Sequence, residues 1–210
     1  MVDVRKIRLI MELRESGITD SKVLSVIEKI PRMNFIPETF KHQAYENIAL
    51  PIGNDQTISQ PLIVALMTQN LELIKTHKVL ELGTGSGYQT AILSKLCRRV
   101  YTIERIKELS IKAENTLKDL KITNVVTKVG DGNKGWFEQR PFDRIIITAA
   151  TKELSKNIIS QIKDEGIIIA PMIGEDGKQI LKKFIRKDKK IISQNITEVI
   201  FVPNLPGSVN

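Results

Sequence analysis

The sequence predicts an α/β protein: a doubly wound, mostly parallel sheet with an antiparallel C-terminal edge, preceded by an N-terminal helical segment. Three observations predict it. From Lys78 onward, short apolar runs alternate with stretches of helical periodicity, the pattern of a parallel sheet covered on both faces. The run Ile145-Ile146-Ile147 shows no polar alternation, as expected of a strand buried on both sides. A glycine-rich turn, Gly83 to Gly87, separates the first apolar run from the helix-like stretch that follows it.

Val4 to Ser16 places Ile7, Ile10, Met11 and Arg14 at helical spacing and reads as a first helix. Asp20 or Thr19 is a candidate cap for a second helix, which runs to Ile30 and stops at Pro31. From Pro31 to Pro61, prolines, Gly53 and polar residues interrupt every periodic run, so irregular chain is expected. Pro61 to Leu73 reads as a helix with proline in its first turn.

The alternating part then offers strands over Val79–Leu82, Val100–Ile103, Asn124–Val129, Phe142–Thr148 and Gly166–Ala170. Helices are expected over Gln89–Leu96, Ile106–Leu120 and Lys152–Ile162. Gln179 to Val202 reads instead as two strands joined around Asp188, an antiparallel pair closing one edge. Residues 1–73 thus form a helical and loop segment and residues 74–210 the sheet domain, together one compact unit.

At 210 residues the chain is long enough for one full core, and 41% hydrophobic residues is ordinary for a globular protein. No window approaches eighteen uncharged apolar residues, so no membrane span is expected. The opening MVDVRKIRLIMELRESG mixes charges among its apolar residues, unlike a secretory signal. The lone Cys97 has no internal partner, which fits a reducing cytoplasm. The net charge of +8 invites a nucleic-acid reading. The lysines are scattered, however, and the one cluster, Arg186 to Lys190, falls where a solvated hairpin turn is expected. Nucleic acid is not expected as the partner.

The sharpest local signal is Glu81-Leu-Gly83-Thr84-Gly85-Ser-Gly87, directly after a strand and opening a helix. Glycines suit a tight turn that a ligand must approach closely. The spacing is G-x-G-x-G, not the G-x-G-x-x-G of pyrophosphate binders, which disfavours a nicotinamide-dependent dehydrogenase. Glu81 stands where a carboxylate would repel a diphosphate but could pair with a ligand ammonium. A glycine turn without a ligand remains open for this segment alone. Further along, Glu104 ends the second strand, about twenty residues on, where an acid can accept both ribose hydroxyls of an adenosine. Asp131 follows the third strand, within reach of an adenine amino group. Singly, each acid reads as a cap or a surface residue. Three of them at successive strand ends point to a nucleoside in the crevice, with S-adenosylmethionine, cationic and free of phosphate, as the matching cofactor.

This combination resembles the class I methyltransferases, whose first motif corresponds to Glu81–Gly87 and whose sheet is Rossmann-like. The resemblance implies that Glu81, Gly83, Thr84 and Gly85 contact the cofactor, that Glu104 holds its ribose, and that Asp131 and Gly132 hold its adenine edge.

The methyl acceptor is set elsewhere. Ala44 to Pro61 is a long irregular stretch with hydroxyls and an amide close together, and such loops are often functional. On its own, Ser59 reads first as the cap of the helix that Pro61 starts. Gln56 to Pro61 (QTISQP), preceded by Leu50-Pro-Ile-Gly53, nevertheless resembles the signature of protein-L-isoaspartate O-methyltransferases. Pro31 to Pro37, Leu82 to Ala91, Phe142 to Ala150 and Phe201-Val202-Pro203 also fit that family. Two departures stand out. Asn204-Leu205-Pro206-Gly207 follows Pro203 where a leucine directly after the proline is expected, and Leu62-Ile63-Val64 lacks the histidines of animal members and reads as bacterial.

The resemblance implies methyl transfer from S-adenosylmethionine to the free carboxylate of L-isoaspartyl, and also D-aspartyl, residues in damaged proteins. Ser59 would be the catalytic-site serine, with Gln56, Thr57, Ile58, Ser59 and Val202 against the substrate. A carboxylate is already ionised at neutral pH, so no strong base is required, and His42 and His77 have no triad partners. No metal-ligand spacing is present, and a monomer is expected. The competing readings are a class I methyltransferase acting on RNA or a small molecule, and a non-catalytic nucleoside-binding module.

Overall fold

The computed structural model describes residues 3–188 and 190–209, and Lys189 of the basic cluster lies outside them. Helix α1 (Val4–Glu15) starts at Asp3, whose side chain accepts the Arg5 amide. Its buried residues are Leu9 and Leu13, an i, i+4 pair packed against the next helices. Ile7 and Met11, at helical spacing in the sequence, are instead 43% and 57% exposed. Two apolar stripes compete on this short helix, and the leucines take the core.

Helix α2 (Ser21–Lys29) is capped by Asp20, which accepts the amides of Lys22 and Val23, and it ends in extended backbone at Ile30 before Pro31. Two 3₁₀ turns follow, Arg32–Phe35 and Glu38–Gln43. The stretch expected to be irregular then contains a hairpin, β1 (Leu50–Gly53) and β2 (Gln56–Ile58). Its turn residues Asn54 and Asp55 both have positive φ, 53° and 55°, the geometry of a primed turn that matches strand twist. Helix α3 (Pro61–Asn70) carries Pro61 in its first turn and ends earlier than its apolar periodicity suggested.

The second half builds β3 (Lys78–Leu82), α4 (Tyr88–Leu96), β4 (Arg99–Glu104), α5 (Lys107–Asp119), β5 (Val125–Val129), β6 (Phe142–Ile147), α6 (Lys156–Gln161), β7 (Ile162–Ile173), β8 (Gln179–Lys187) and β9 (Lys190–Val199). They form one seven-stranded sheet in the order β5-β4-β3-β6-β7-β8-β9. The first five strands of that order pair in parallel, and β8 and β9 close the edge antiparallel, as the sequence predicts. The last helix is shorter than predicted and β7 longer. Ser155 caps α6 late, and Ile162 pairs with Phe142 before a register shift resumes the ladder at Ile167.

Because β4 lies on one side of β3 and β6 on the other, the strand order reverses at β3, where open α/β sheets form their ligand crevice. The helices α1–α3 share a buried apolar cluster with α4 and α5 on one face of the sheet. After β9 the chain returns over the strand ends. Val202 accepts the Ala150 amide, Asn204 donates to the Ala150 carbonyl, and Val209 bonds to Arg105 and Lys107 beside β4.

Candidate active site

The glycine turn at the β3 end is held from both neighbouring strands. Gly83 donates to the Ile103 carbonyl at 2.8 Å, and Thr148, just past β6, donates its amide to the Leu82 carbonyl at 2.9 Å. Gly83 has φ +97°, and a Cβ there would lie 2.3 Å from Thr148 Oγ1. Gly87, the residue before α4, has φ +86° and would set a Cβ 3.1 Å from that of Ala113 on α5. Only glycine fits the first site, and its bareness leaves main-chain atoms facing the crevice.

That crevice is a cavity of about 250 Å³. The turn Gly83 to Ser86 forms its floor, and Glu104 and Gly132 stand on the β4–β5 side. Gln56, Thr57, Ile58 and Ser59 form a wall, and Val202 to Leu205 of the returning tail close the opposite side. Glu104 is 5% exposed, and each of its carboxylate oxygens takes one main-chain amide, Gly85 on Oε2 at 2.8 Å and Ile106 on Oε1 at 2.9 Å. An ionised carboxylate has further lone pairs, so this one is held rigid with acceptor capacity to spare. Thr84 shares a short hydroxyl–hydroxyl bond of 2.6 Å with Thr102 and also lines the cavity.

Two of the acids read from the sequence do not line this cavity. Glu81 is 0% exposed, its Oε2 accepts the Thr90 hydroxyl of α4, and its Oε1 has no partner. Strand alternation is the cause: Leu82 faces the crevice and Glu81 the helix layer. A direct pairing of Glu81 with a ligand ammonium is therefore replaced by a buried bond beneath the turn. Burial raises its pKa to about 8, against the opposing pull of the Thr90 and Thr102 hydroxyls.

A group with a raised folded-state pKa contributes stability that is complete below its unfolded value, here 4.5, and lost as pH rises through about 8. Glu81→Gln removes that titration, so the melting temperature of the variant should fall less between those limits than that of the wild type. Parallel melting profiles across the window would show that Glu81 ionises normally.

Asp131 stands beside Gly132, which lines the cavity. Its carboxylate caps the following 3₁₀ turn at the Asn133 amide. Burial alone would raise its pKa, but the amides of Gly207 and Asn133 hold it below the ordinary carboxylate value.

A second cavity, of about 930 Å³, lies against the first. Both are lined by Thr57, Ser59, Thr148 and Val202, so these residues form the neck between them. Ser59 is not the cap of α3. Gln60 occupies that position without a side-chain cap bond, and Asn47 Oδ1 takes the Leu62 amide at 2.9 Å from across the loop. Relieved of capping, Ser59 borders both cavities at the neck. Thr148 ends a strand that the sequence predicts but carries no predicted site role, and Leu205 stands out there only as part of the departure after Pro203. Thr148 stands one residue past the end of β6, where the strand-end rule would have found it. The departure after Pro203 has a structural use: Asn204 donates to Asn133 Oδ1 at 2.7 Å and Leu205, one position late, lines the first cavity. His42 and His77 are absent from both cavities.

The bare glycine turn and the rigid Glu104 carboxylate fit a hydroxylated nucleoside approaching main-chain atoms closely. Comparison with known proteins gives the same answer. Residues 4–208 match the model of the protein-L-isoaspartate(D-aspartate) O-methyltransferase (PCMT) family. The chain belongs to that family. A protein-L-isoaspartate O-methyltransferase of Maricaulis maris is 49% identical over 205 residues, covering 98% of this chain and 96% of that protein. A solved protein-L-isoaspartate O-methyltransferase structure superposes with a TM-score of 0.87 at 28% identity, covering 94% of this chain and 65% of that one. The Plasmodium falciparum family structure, in complex with S-adenosyl-L-homocysteine, has a TM-score of 0.82 at 25% identity and covers 94% of this chain and 97% of that one. As a PCMT family member the chain is a class I methyltransferase with the Rossmann-like sheet that its glycine turn implied.

Proposed function

We propose that this protein uses S-adenosylmethionine to methylate the free carboxylate of L-isoaspartyl, and also D-aspartyl, residues in damaged proteins, starting their repair through a methyl ester and a succinimide. The observation that carries this reading is the neck at Ser59. A cavity with the glycine turn and Glu104 meets a larger one there, as transfer between a bound cofactor and an extended peptide requires.

When bound, the cofactor supplies a methyl group activated on a sulfonium. Gly83, Thr84, Gly85, Glu104 and Gly132 would hold it, Glu104 through the ribose hydroxyls. Glu81 and Asp131 serve behind them, the first under the glycine turn and the second as a cap beside Gly132. On the acceptor side Gln56, Thr57, Ile58 and Val202 border the peptide. The Ser59 hydroxyl donates to the carboxylate oxygen that does not react, which orients the other. Residues 1–73 thus supply the acceptor loop and 74–210 the cofactor site. In this reading the protein acts as a cytoplasmic monomer on protein substrates.

Positional catalysis suits the chemistry. The acceptor is already an anion at neutral pH, so orientation supplies much of the acceleration and no base is needed. The ester carbonyl is a better electrophile than the ionised acid: the nitrogen of the next backbone amide attacks it, methanol leaves carrying the amide proton, and the succinimide closes without help from the protein. The test is transfer of labelled methyl to matched peptides carrying isoaspartate or ordinary aspartate, with ribosomal RNA as a third acceptor. Label is expected on the isoaspartyl peptide alone. Label on RNA alone would overturn the acceptor and leave the cofactor standing.

A further inference from the structure

The loop that ends at Ser59 hangs from one buried cation. Arg32, first residue of a 3₁₀ turn, is 1% exposed and makes no ion pair among the described residues. Both terminal nitrogens of its guanidinium donate to main-chain carbonyls, while its buried Nε has no partner. Nη1 donates to Ala44 at 2.9 Å and to Glu46 at 3.5 Å, and Nη2 donates to Ile48 at 2.9 Å and to Ser59 at 3.2 Å. Three of these carbonyls belong to the turn and bend that lead into the β1–β2 hairpin and one to the residue leaving it. The same guanidinium lies 5.8 Å from the ring centroid of Tyr88, the first residue of α4, which lines the cofactor cavity.

A buried charge without an acid is costly, and structures retain one where its hydrogen bonds do something a neutral side chain cannot. Here a planar fork with fixed N–H directions joins two chain segments and rests on a third element. Ser59 lies outside any helix or strand and does not cap α3, so the Arg32 bond is a direct restraint on its peptide. We infer that Arg32 is a positioning residue for methyl transfer: it ties the chain entering the acceptor hairpin to the residue leaving it, beside α4, and so fixes where Ser59 stands relative to the cofactor cavity. This inference rests on the acceptor role proposed for Ser59. Lysine replaces it only in part, because one ammonium lacks the two separated N–H groups that reach both segments.

The experiment uses the full chain with Arg32→Lys and Arg32→Met. S-adenosylhomocysteine binding is titrated by calorimetry, and kcat for an isoaspartyl peptide is expressed per binding-competent molecule. Misplacement by about 1 Å can cost on the order of 100-fold in rate, so a loss of that order is expected for the methionine variant and a smaller one for lysine, with cofactor affinity retained. Each change is then combined with Ser59→Ala. If Arg32 acts through Ser59, the double variant loses little more than Ser59→Ala alone. Wild-type kcat per binding site, fold-losses that multiply in the double variant, or loss of cofactor binding in both variants would each overturn the inference, the last by marking a general structural role. Failure of the proposed function would look different, since the wild type itself would then ignore the isoaspartyl peptide.

Discussion

Gly83→Ala is expected to weaken S-adenosylhomocysteine binding by on the order of 100-fold or more and to lower the melting temperature, because two separate penalties meet at one Cβ. The backbone sits at φ +97°, where a residue other than glycine is strained by roughly 1–3 kcal/mol. The added carbon would also lie 2.3 Å from Thr148 Oγ1, a distance no real Cβ tolerates. That hydroxyl cannot swing away freely, since its one proton goes to the Gly83 carbonyl at 2.6 Å, with the Leu82 carbonyl sharing it at 3.0 Å. The turn must move, and the cofactor cavity moves with it.

The two penalties can be separated. Gly17 has φ +92° with nothing within 4 Å of its would-be Cβ, so Gly17→Ala reports the strain alone. Removing the hydroxyl in a Gly83→Ala, Thr148→Ala double variant leaves the Thr148 Cβ position at 3.6 Å, ordinary contact, and should restore part of the lost affinity. Melting curves and calorimetric titration of the four proteins decide it. A Gly83→Ala drop in melting temperature no larger than that of Gly17→Ala, or no rescue of affinity by Thr148→Ala, would remove Thr148 from the account.

The glycine turn was legible because its reason is local: a strand, a tight turn and a helix must follow one another within a few residues. The parallel sheet was legible for a similar reason, since runs such as Ile145–Ile147 have no polar face. What alternation decides across a single residue was not. Glu81 and Leu82 are neighbours in sequence, yet the pleat sends one to the helix layer and the other to the crevice. Asp131 shows a related limit: an acid after a strand satisfies a turn amide as readily as a ligand, and here one of its oxygens takes the Asn133 amide.

The acceptor loop shows the limit most plainly. Pro51 and Gly53 hide a hairpin from any period-two pattern, and its Asn54-Asp55 turn lacks the glycine that usually marks such turns. The cap of α3 was read onto Ser59 because local rules cannot see Asn47, fifteen residues back, supplying the acceptor. Arg32 sits in a segment that resembled the family, yet the carbonyls it binds lie twelve to twenty-seven residues away. Long-range main-chain recognition leaves no periodic trace in a sequence.

Ser59→Ala should lower kcat for an isoaspartyl peptide by on the order of 100-fold while leaving S-adenosylhomocysteine affinity unchanged. The asymmetry follows from where the hydroxyl stands. It borders both cavities at their neck, whereas the cofactor side is built from Gly83, Thr84, Gly85 and Glu104, whose hydrogen bonds do not involve Ser59. The carbonyl of Ser59 stays on Arg32 in the alanine variant, so the loop keeps its anchor and only the side-chain donor is lost. Losing a donor to an ionised acceptor frees the carboxylate to turn, and fewer of its orientations are productive. The acceptor needs no base, so the rate of both proteins should follow the same pH profile, with a difference in height alone. Ser59→Thr keeps the hydroxyl and should recover much of the rate if the neck admits a methyl group. Steady-state kinetics with peptide and cofactor varied separately reads all of this: near-normal kcat in Ser59→Ala, or a defect confined to cofactor KM, would take the serine out of the transfer step.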